Sequence, residues 1–492
     1  MCIIYAKLCL HNLALINLIK RSYPPPVVFS SLIFIFLFLP IVLAIYYAFP
    51  SIAIKNWILI ISSIIFYAWG EPIWVLLLLA SATLDYCNGL WIEKYRNTWK
   101  AKLGIVSTLG FNLGCLAIFK YSGFVVDNIN ALTNLNIAQP SFALPLGISF
   151  YVFMSISYTL DVWYGRVQAQ RNFGSFLVYI ANFHHLVAGP VIRYGHIAKE
   201  TMERRVRWMD FHAGITRFSR GLFKKVFIAN TAGALAEPLL QQDPATATVL
   251  GAWIGVMFYT LQIYFDFSGY SDMALGLGRM FGFRYHENFR HPYIAKSITD
   301  FWRRWHISLS SFFKDYVYIP LGGNRYRQVR NIMIVWMLTG FWHGASWNFV
   351  LWGLYFGILL LIEKFFLAKI LKASPAIFQH IYALFFIVVG WAIFYFTDLT
   401  QLLQHLQIMF GLTNAPLSSY KEISILQSNI YWIAFALLAC IPIHRKMQNI
   451  LAAKCSSSTV VATDMMQSVI YLVISIALLV GSTYNPFIYF RF

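Results

Sequence analysis

Residues Ile332 to Gly357 read IMIVWMLTGFWHGASWNFVLWGLYFG. A helix needs about 20 predominantly apolar residues to cross the hydrocarbon core of a bilayer, and Ile332 to Val350 supplies such a run without a formal charge. His343 is the one titratable group near its middle. At helical spacing Thr339 lies one turn before it and Ser346 one turn after, which makes that face polar. Gly340 with Gly344, and Gly353 with Gly357, are small-xxx-small pairs that let backbones approach closely inside lipid. An ionisable side chain at such a depth is costly and faces a protein interior or a wet cavity. His343 is therefore either a functional group or a histidine hydrogen-bonded between helices for packing, and the surrounding chain has to decide.

The 492 residues are 59% hydrophobic, 18% aromatic and 12% charged, with mean hydropathy +0.62. That balance excludes an ordinary soluble domain and points to a polytopic helical membrane protein. A transmembrane β-barrel would show short alternating segments, whereas the apolar runs here are long and continuous. The net charge of +19 would suggest nucleic acid in a soluble chain. Here the Lys and Arg fall mainly between apolar runs, where positive-inside topology and anionic headgroups account for them. Lipids are the expected partners and nucleic acid is not. Cys2, Cys9, Cys87, Cys115, Cys440 and Cys455 have no metal or redox spacing, so neither a disulfide framework nor a metal site is expected.

Residues 1–26, ending in Pro24-Pro25-Pro26, read as a dispensable N-terminal extension, and 27–492 as one multi-span membrane domain. Apolar spans are expected at about 29–49, 52–69, 73–91, 103–120 and 145–164. The tract from Glu93-Lys94 to Lys102 is short and basic, which places it in the cytoplasm. Residues 121–144 carry almost no Lys or Arg and suit the opposite side. In 174–231, Gly189-Pro190 after an apolar run suggests a re-entrant or interfacial piece, with His184 and His185 as polar lining. A span at 247–265 runs into Asp266 and Asp272, whose carboxylates are expected to pair with Arg279 or Arg284 to fix helix packing.

From Arg284 to Arg330 the chain is amphipathic. Thr299 is the expected N-cap of a helix in which Arg303, His306, Ser310 and Lys314 share one face and Trp302, Trp305, Leu309 and Phe313 another. The turn Tyr318-Ile-Pro-Leu-Gly-Gly-Asn-Arg325, with Arg327 and Arg330 behind it, is expected in the cytoplasm and leads into the His343 helix. His343 should then be reached from a basic, cytoplasm-facing platform. Further spans are expected at about 349–367, 380–397, 428–443 and 466–484. No internal repeat is visible, which argues against a transporter built from repeated halves.

Three motifs together, Asp300-Phe-Trp-Arg-Arg-Trp-His306, Tyr318 to Arg325, and Gly340-Phe-Trp-His-Gly-Ala-Ser-Trp347, resemble the membrane-bound O-acyltransferases. The resemblance is to the bacterial branch that acylates alginate, peptidoglycan and teichoic acids, and it runs from about Val27 to Phe492. It implies an all-α fold, with a ring of about 11 tilted transmembrane helices and additional interfacial and re-entrant helices around a central funnel. His343 takes the place of the family's catalytic histidine and His306 that of its second position. The activity implied is multi-pass, inner-membrane transfer of an acetyl group from a cytoplasmic thioester, acetyl-CoA or a similar donor, with no bound cofactor. The acceptor implied is a polysaccharide, alginate first and peptidoglycan second, with D-alanyl transfer third. An extracytoplasmic acyltransferase is the implied partner. The tail Phe487 to Phe492 resembles an element in which a tyrosine relays the acyl group, here Tyr489, although an aromatic interfacial anchor explains it as well.

Acyl transfer to a hydroxyl needs a base and a donor for the developing oxyanion. An imidazole, with an unperturbed pKa of about 6.5, suits the first role, so His343 is the expected base. His306, with Ser310 or Asn324, is expected to orient substrate or stabilise charge. Arg303, Arg304 and Arg325 are expected to attract the anionic part of the donor, or else to contact headgroups. A solute transporter and a non-catalytic scaffold are the competing classes.

Overall fold

The computed structural model describes residues 28–140 and 142–481, with Arg445 described by its backbone alone. The extension 1–26 and Tyr489 lie outside the described residues. Among those described the chain is helical and contains no strand. Seven helices among the described residues are long and apolar enough to cross a bilayer: Ile52–Gly70, Trp74–Lys94, Trp99–Thr133, Val249–Met280, Trp347–Ala373, Ala376–Tyr395 and Ser457–Gly481. The pair Tyr420–Ser428 and Ile430–Ala439, bent by 66°, is apolar and long enough only when taken together, as a broken span or a re-entrant loop. A count near eleven is reached only with shorter helices such as the apolar Phe34–Ala48 and the 16-residue Ile148–Trp163. The latter is buried along almost its whole length. It is a core helix walled by protein, so the length rule for a lipid-facing span does not bind it. The span expected at 247–265 continues through both carboxylates to Met280, a 32-residue helix that protein covers over most of its length.

The carboxylates are paired, though not with the arginines expected. Asp266 meets Lys225 at 2.6 Å, with both side chains buried. Asp272 meets Arg217 at 2.6 Å and Lys224 at 2.7 Å, and Arg217 also holds Glu287. The partners come from the neighbouring Trp208–Phe223 helix and its continuation, because glycines bring that helix onto Val249–Met280. A Cβ on Gly221 would stand 2.5 Å from the Gly269 carbonyl oxygen, and one on Gly276 would stand 2.7 Å from that of Gly214. Ion pairs at this depth replace water that both charges have lost.

The irregular stretch 182–193 is buried almost throughout, as backbone without regular structure must be when it sits among membrane helices. His184 and His185 are buried in it. His184 faces the Tyr285 hydroxyl at 3.3 Å and His185 the Tyr179 carbonyl at 2.8 Å.

Two apolar cores divide the molecule. One runs from Phe29 through Val226 and takes in Phe281, Phe312 and Trp342; the other holds Ile263, Trp305, Trp352, Trp391 and Phe394. The Gln328–His343 and Trp347–Ile362 helices meet near the seam between them. Their contact is backbone on backbone, as the glycine pairs predict. A Cβ on Gly340 would stand 2.1 Å from the Phe349 carbonyl oxygen, and one on Gly353 would stand 2.3 Å from that of Trp336. Since neither helix can withdraw without opening both cores, Gly340→Val should cost more than about 3 kcal/mol. Purification of the variant from membranes should give little monodisperse protein, and a wild-type yield would mean that the helices can part.

Candidate active site

His343 is the last residue of the Gln328–His343 helix, not the middle of a continuous span. The break follows from Gly344. Its backbone is extended, at φ −169° and ψ 158°, and a Cβ there would stand 2.1 Å from the Phe349 ring. The chain turns at 344–346 and restarts as a helix at Trp347.

The imidazole is 5% exposed. Trp342, Trp352 and Phe394 surround it with ring centroids at 4.9, 5.0 and 5.2 Å, the last two nearly edge-on. Phe394 is fixed in turn by Asn348, whose amide donates to the carbonyls of Ile393 and Phe394 at 3.2 Å each. Among the described residues Nδ1 of His343 has no hydrogen-bond partner, and the packing reading would require one. The ring borders a cavity of about 70 Å³ lined by Lys120, the 144–150 segment, Val187 and Trp342.

The cavity lies at the Gly344 end of the His343 helix. Sixteen residues rising about 24 Å separate it from the basic turn at Arg325. His343 is thus at the end of its helix opposite the basic platform, beside a segment almost free of Lys and Arg. A larger cavity of about 610 Å³ opens nearby, with Tyr395, Phe396, Gln262 and His405 among its lining residues.

The helix expected over 300–314 is also broken. Ile298–Arg304 and Ile307–Phe313 are separate helices. Between them Trp305 is extended and His306 is left-handed, at φ 44° and ψ 55°. The cause is pairing with the preceding segment. Arg290 N–H donates to the Arg304 carbonyl at 2.9 Å, and Ile307 N–H to the Asn288 carbonyl at 3.0 Å, bonds that replace the helical ladder. Trp302, Trp305, Leu309 and Phe313 are buried, so the aromatic face meets protein and not lipid. The N-cap is Ser297, which accepts from Asp300 N–H at 3.0 Å. Thr299 instead meets the buried Glu363, which accepts from the Ile298 and Thr299 N–H groups at 2.5 and 2.9 Å. Ser297 and Glu363 are the two anchors that helical spacing does not mark.

Asn288 sets the protonation pattern of His306. Its Oδ1 accepts from Ser308 N–H at 3.2 Å, which fixes that atom as the oxygen. His306 Nδ1, 3.2 Å away, must then carry the proton, leaving Nε2 as a lone-pair acceptor. Nε2 is buried and has no partner among the described residues. Both histidines touch Trp342, His306 with a centroid distance of 6.0 Å. The two motifs therefore meet at one aromatic residue on the seam between the cores.

The other candidates are more scattered. Arg304 pairs with Asp300 at 2.9 Å, and Arg303 is exposed. Ser310 is half-buried, its N–H bonded to the His306 carbonyl at 3.1 Å. Asn324, which accepts from Tyr318 at 2.7 Å, and the exposed Arg325 lie at the far end of the His343 helix and are not brought to the ring.

A residue outside the three motifs does reach the end of the His343 helix. Lys120 Nζ donates to the Trp342 carbonyl at 2.5 Å and the His343 carbonyl at 3.3 Å, and the Tyr121 hydroxyl donates to the Phe341 carbonyl at 2.8 Å. The last three carbonyls of the His343 helix are thus satisfied from one turn of the Trp99–Thr133 helix.

Comparison with known proteins extends the pattern over the whole chain. Residues 166–404, which contain both histidines, match the model of the membrane-bound O-acyltransferase family. A Pseudomonas putida protein named "Probable alginate O-acetylase AlgI" is 39% identical over 491 residues, covering 94% of this chain and 100% of that protein. Its namesake in Pseudomonas syringae pv. tomato is 42% identical, covering 86% of this chain and 83% of its own length. The "Peptidoglycan O-acetyltransferase" of Helicobacter pylori is 33% identical, covering 79% and 81%. With two buried histidines meeting at Trp342 and relatives of this identity along nearly all of its length, the chain belongs to the membrane-bound O-acyltransferase family.

Proposed function

We propose that this protein acetylates an exported polysaccharide, alginate or an alginate-like polymer, from the bacterial inner membrane. The observation that carries the reading is the placement of His343. Its imidazole borders a cavity at the end of its helix remote from the basic turn, which supports reading that end as the one an acceptor hydroxyl approaches. The positive-inside rule assigns the basic turn to the cytoplasm, the compartment of an acyl thioester such as acetyl-CoA. Arg303 and Arg325, both exposed, are the proposed attraction for the anionic part of that donor, with Arg304 held beside Asp300. His343 takes the proton of the accepting hydroxyl as the oxygen attacks the thioester carbonyl. His306, with Nε2 free to accept, orients the substrate, helped by Ser310. Tyr489 is the proposed relay to an extracytoplasmic partner acyltransferase. The names of the Pseudomonas relatives support alginate as acceptor, and the Helicobacter relative supports peptidoglycan as a second reading.

Expression of the chain in an alginate-producing bacterium that lacks its own membrane O-acetylase tests both. Ester acetate on the secreted alginate should return to at least half of the normal level. A rise in peptidoglycan acetate alone would favour the second reading. Wild-type levels of inserted protein with neither polymer acetylated would overturn both.

A further inference from the structure

Lys120 lies in an apolar stretch, Leu116-Ala-Ile-Phe-Lys-Tyr121, within a helix long and apolar enough to cross the membrane. A cation in such a place requires partners. An ammonium has three N–H donors and no acceptor. Two of the three are used, on the Trp342 and His343 carbonyls. Among the described residues no carboxylate pairs with it. The negative end of the His343 helix dipole offsets part of the charge, and one N–H remains. The side chain lines the same cavity as the His343 imidazole and lies within Coulomb range of that ring. A partly buried cation without a counter-ion, in a cavity shared with a general base, matches an anion that exists only during the reaction.

We propose that Lys120 is the oxyanion donor of the transferase, a catalytic residue that binds the carbonyl oxygen of the acyl group as it becomes negative. The proposal rests on the thioester-to-hydroxyl reading above. In the step itself, the acceptor oxygen bonds to the carbonyl carbon while His343 takes the hydroxyl proton. The C=O π pair moves onto oxygen, where the Lys120 N–H receives it. Re-formation of C=O expels the thiolate, which recovers the proton from His343. Fixed charge aimed at a developing oxyanion in a dry site is among the largest single contributions to catalysis. The two carbonyl bonds hold the ammonium in place before substrate arrives, so little reorganisation is needed at the moment of transfer.

The alternative is a helix cap with no part in the chemistry, and glutamine separates the two. Lys120→Gln keeps two N–H donors for the carbonyls and loses the charge, Lys120→Met loses both, and Lys120→Arg keeps the charge. The assay uses the full chain in lipid vesicles with its partner, acetyl-CoA as donor probe and mannuronate oligomers as acceptor probe. A silent wild type would count against the proposed function, and the variants are compared only against an active one. We expect kcat to fall about 10²–10³-fold in both Gln and Met variants, as for loss of one oxyanion-hole donor. KM for either probe should stay within about threefold, and Arg should keep at least about a tenth of wild-type kcat. A Gln variant with more than a third of wild-type kcat would reduce Lys120 to a cap and overturn the proposal. So would a loss confined to KM for the anionic acceptor, which would make Lys120 a carboxylate reader. Failure of both Gln and Met variants to purify as folded protein would assign the residue to the fold and would also overturn it.

Discussion

His343→Ala should insert into the membrane at close to the wild-type level and leave the acceptor unacetylated, with turnover down about 10²–10⁴-fold, the usual contribution of a positioned general base. The ring sits at the end of its helix, so truncation removes edge contacts with Trp352 and Phe394 but no helix-interior backbone bond. Its Nδ1 has no partner to strand among the described residues. The cost in stability should therefore be small beside the cost in rate, about 1–3 kcal/mol. His343→Gln, which is polar and of similar length but cannot take up a proton, should be equally inactive and more stable. Ester acetate per inserted molecule checks both. A packing histidine would show the reverse pattern, with little protein in the membrane and normal acetylation by whatever folded.

His306 makes a sharper case, because its backbone and side chain can be tested apart. Its left-handed conformation is tolerated by glycine and asparagine and costs a β-branched residue about 1–3 kcal/mol. His306→Gly should keep or raise the folded yield, since glycine adopts that φ freely, and should lose at least about tenfold in turnover. His306→Asn should fold as well and keep more activity than the glycine variant, because its amide can restore a polar contact from the same backbone. His306→Val should lose both yield and activity. If the glycine variant turned over at the wild-type rate, the side chain would have no part in the reaction and the turn at 305–307 would be purely architectural.

The class of the molecule was legible because bilayer crossing is a matter of length and hydropathy. The runs at 52–69, 73–91 and 380–397 appear as helices almost at the expected residues. The glycine pairs around His343 were legible for a similar reason, since a missing Cβ has meaning wherever helices must touch. Two breaks were not. Helical spacing carried straight through His306 and His343, but the helix stops before the first because Arg290 and Asn288 pair with the backbone of Arg304 and Ile307 on either side of it. It stops at the second because Phe349 occupies the space over Gly344. Both causes are contacts between segments, which periodicity does not record. Lys120 went unnoticed because a lone lysine in an apolar stretch carries no motif; its meaning lies in carbonyls more than 200 residues away. The partners of Asp266 and Asp272 were hidden in the same way, since Arg279 was near in sequence while Lys225 and Arg217 were near in space.

The central claim is that the His343 imidazole accepts a proton during transfer of an acyl group from the basic side of the molecule to the opposite side. The most direct measurement seals acetyl-CoA inside vesicles that carry the protein and the proposed partner acyltransferase in one orientation, with the polysaccharide outside only. Ester acetate should accumulate on the outside polymer with wild-type protein and stay at the protein-free background with His343→Ala. Equal accumulation with the two proteins would contradict the account.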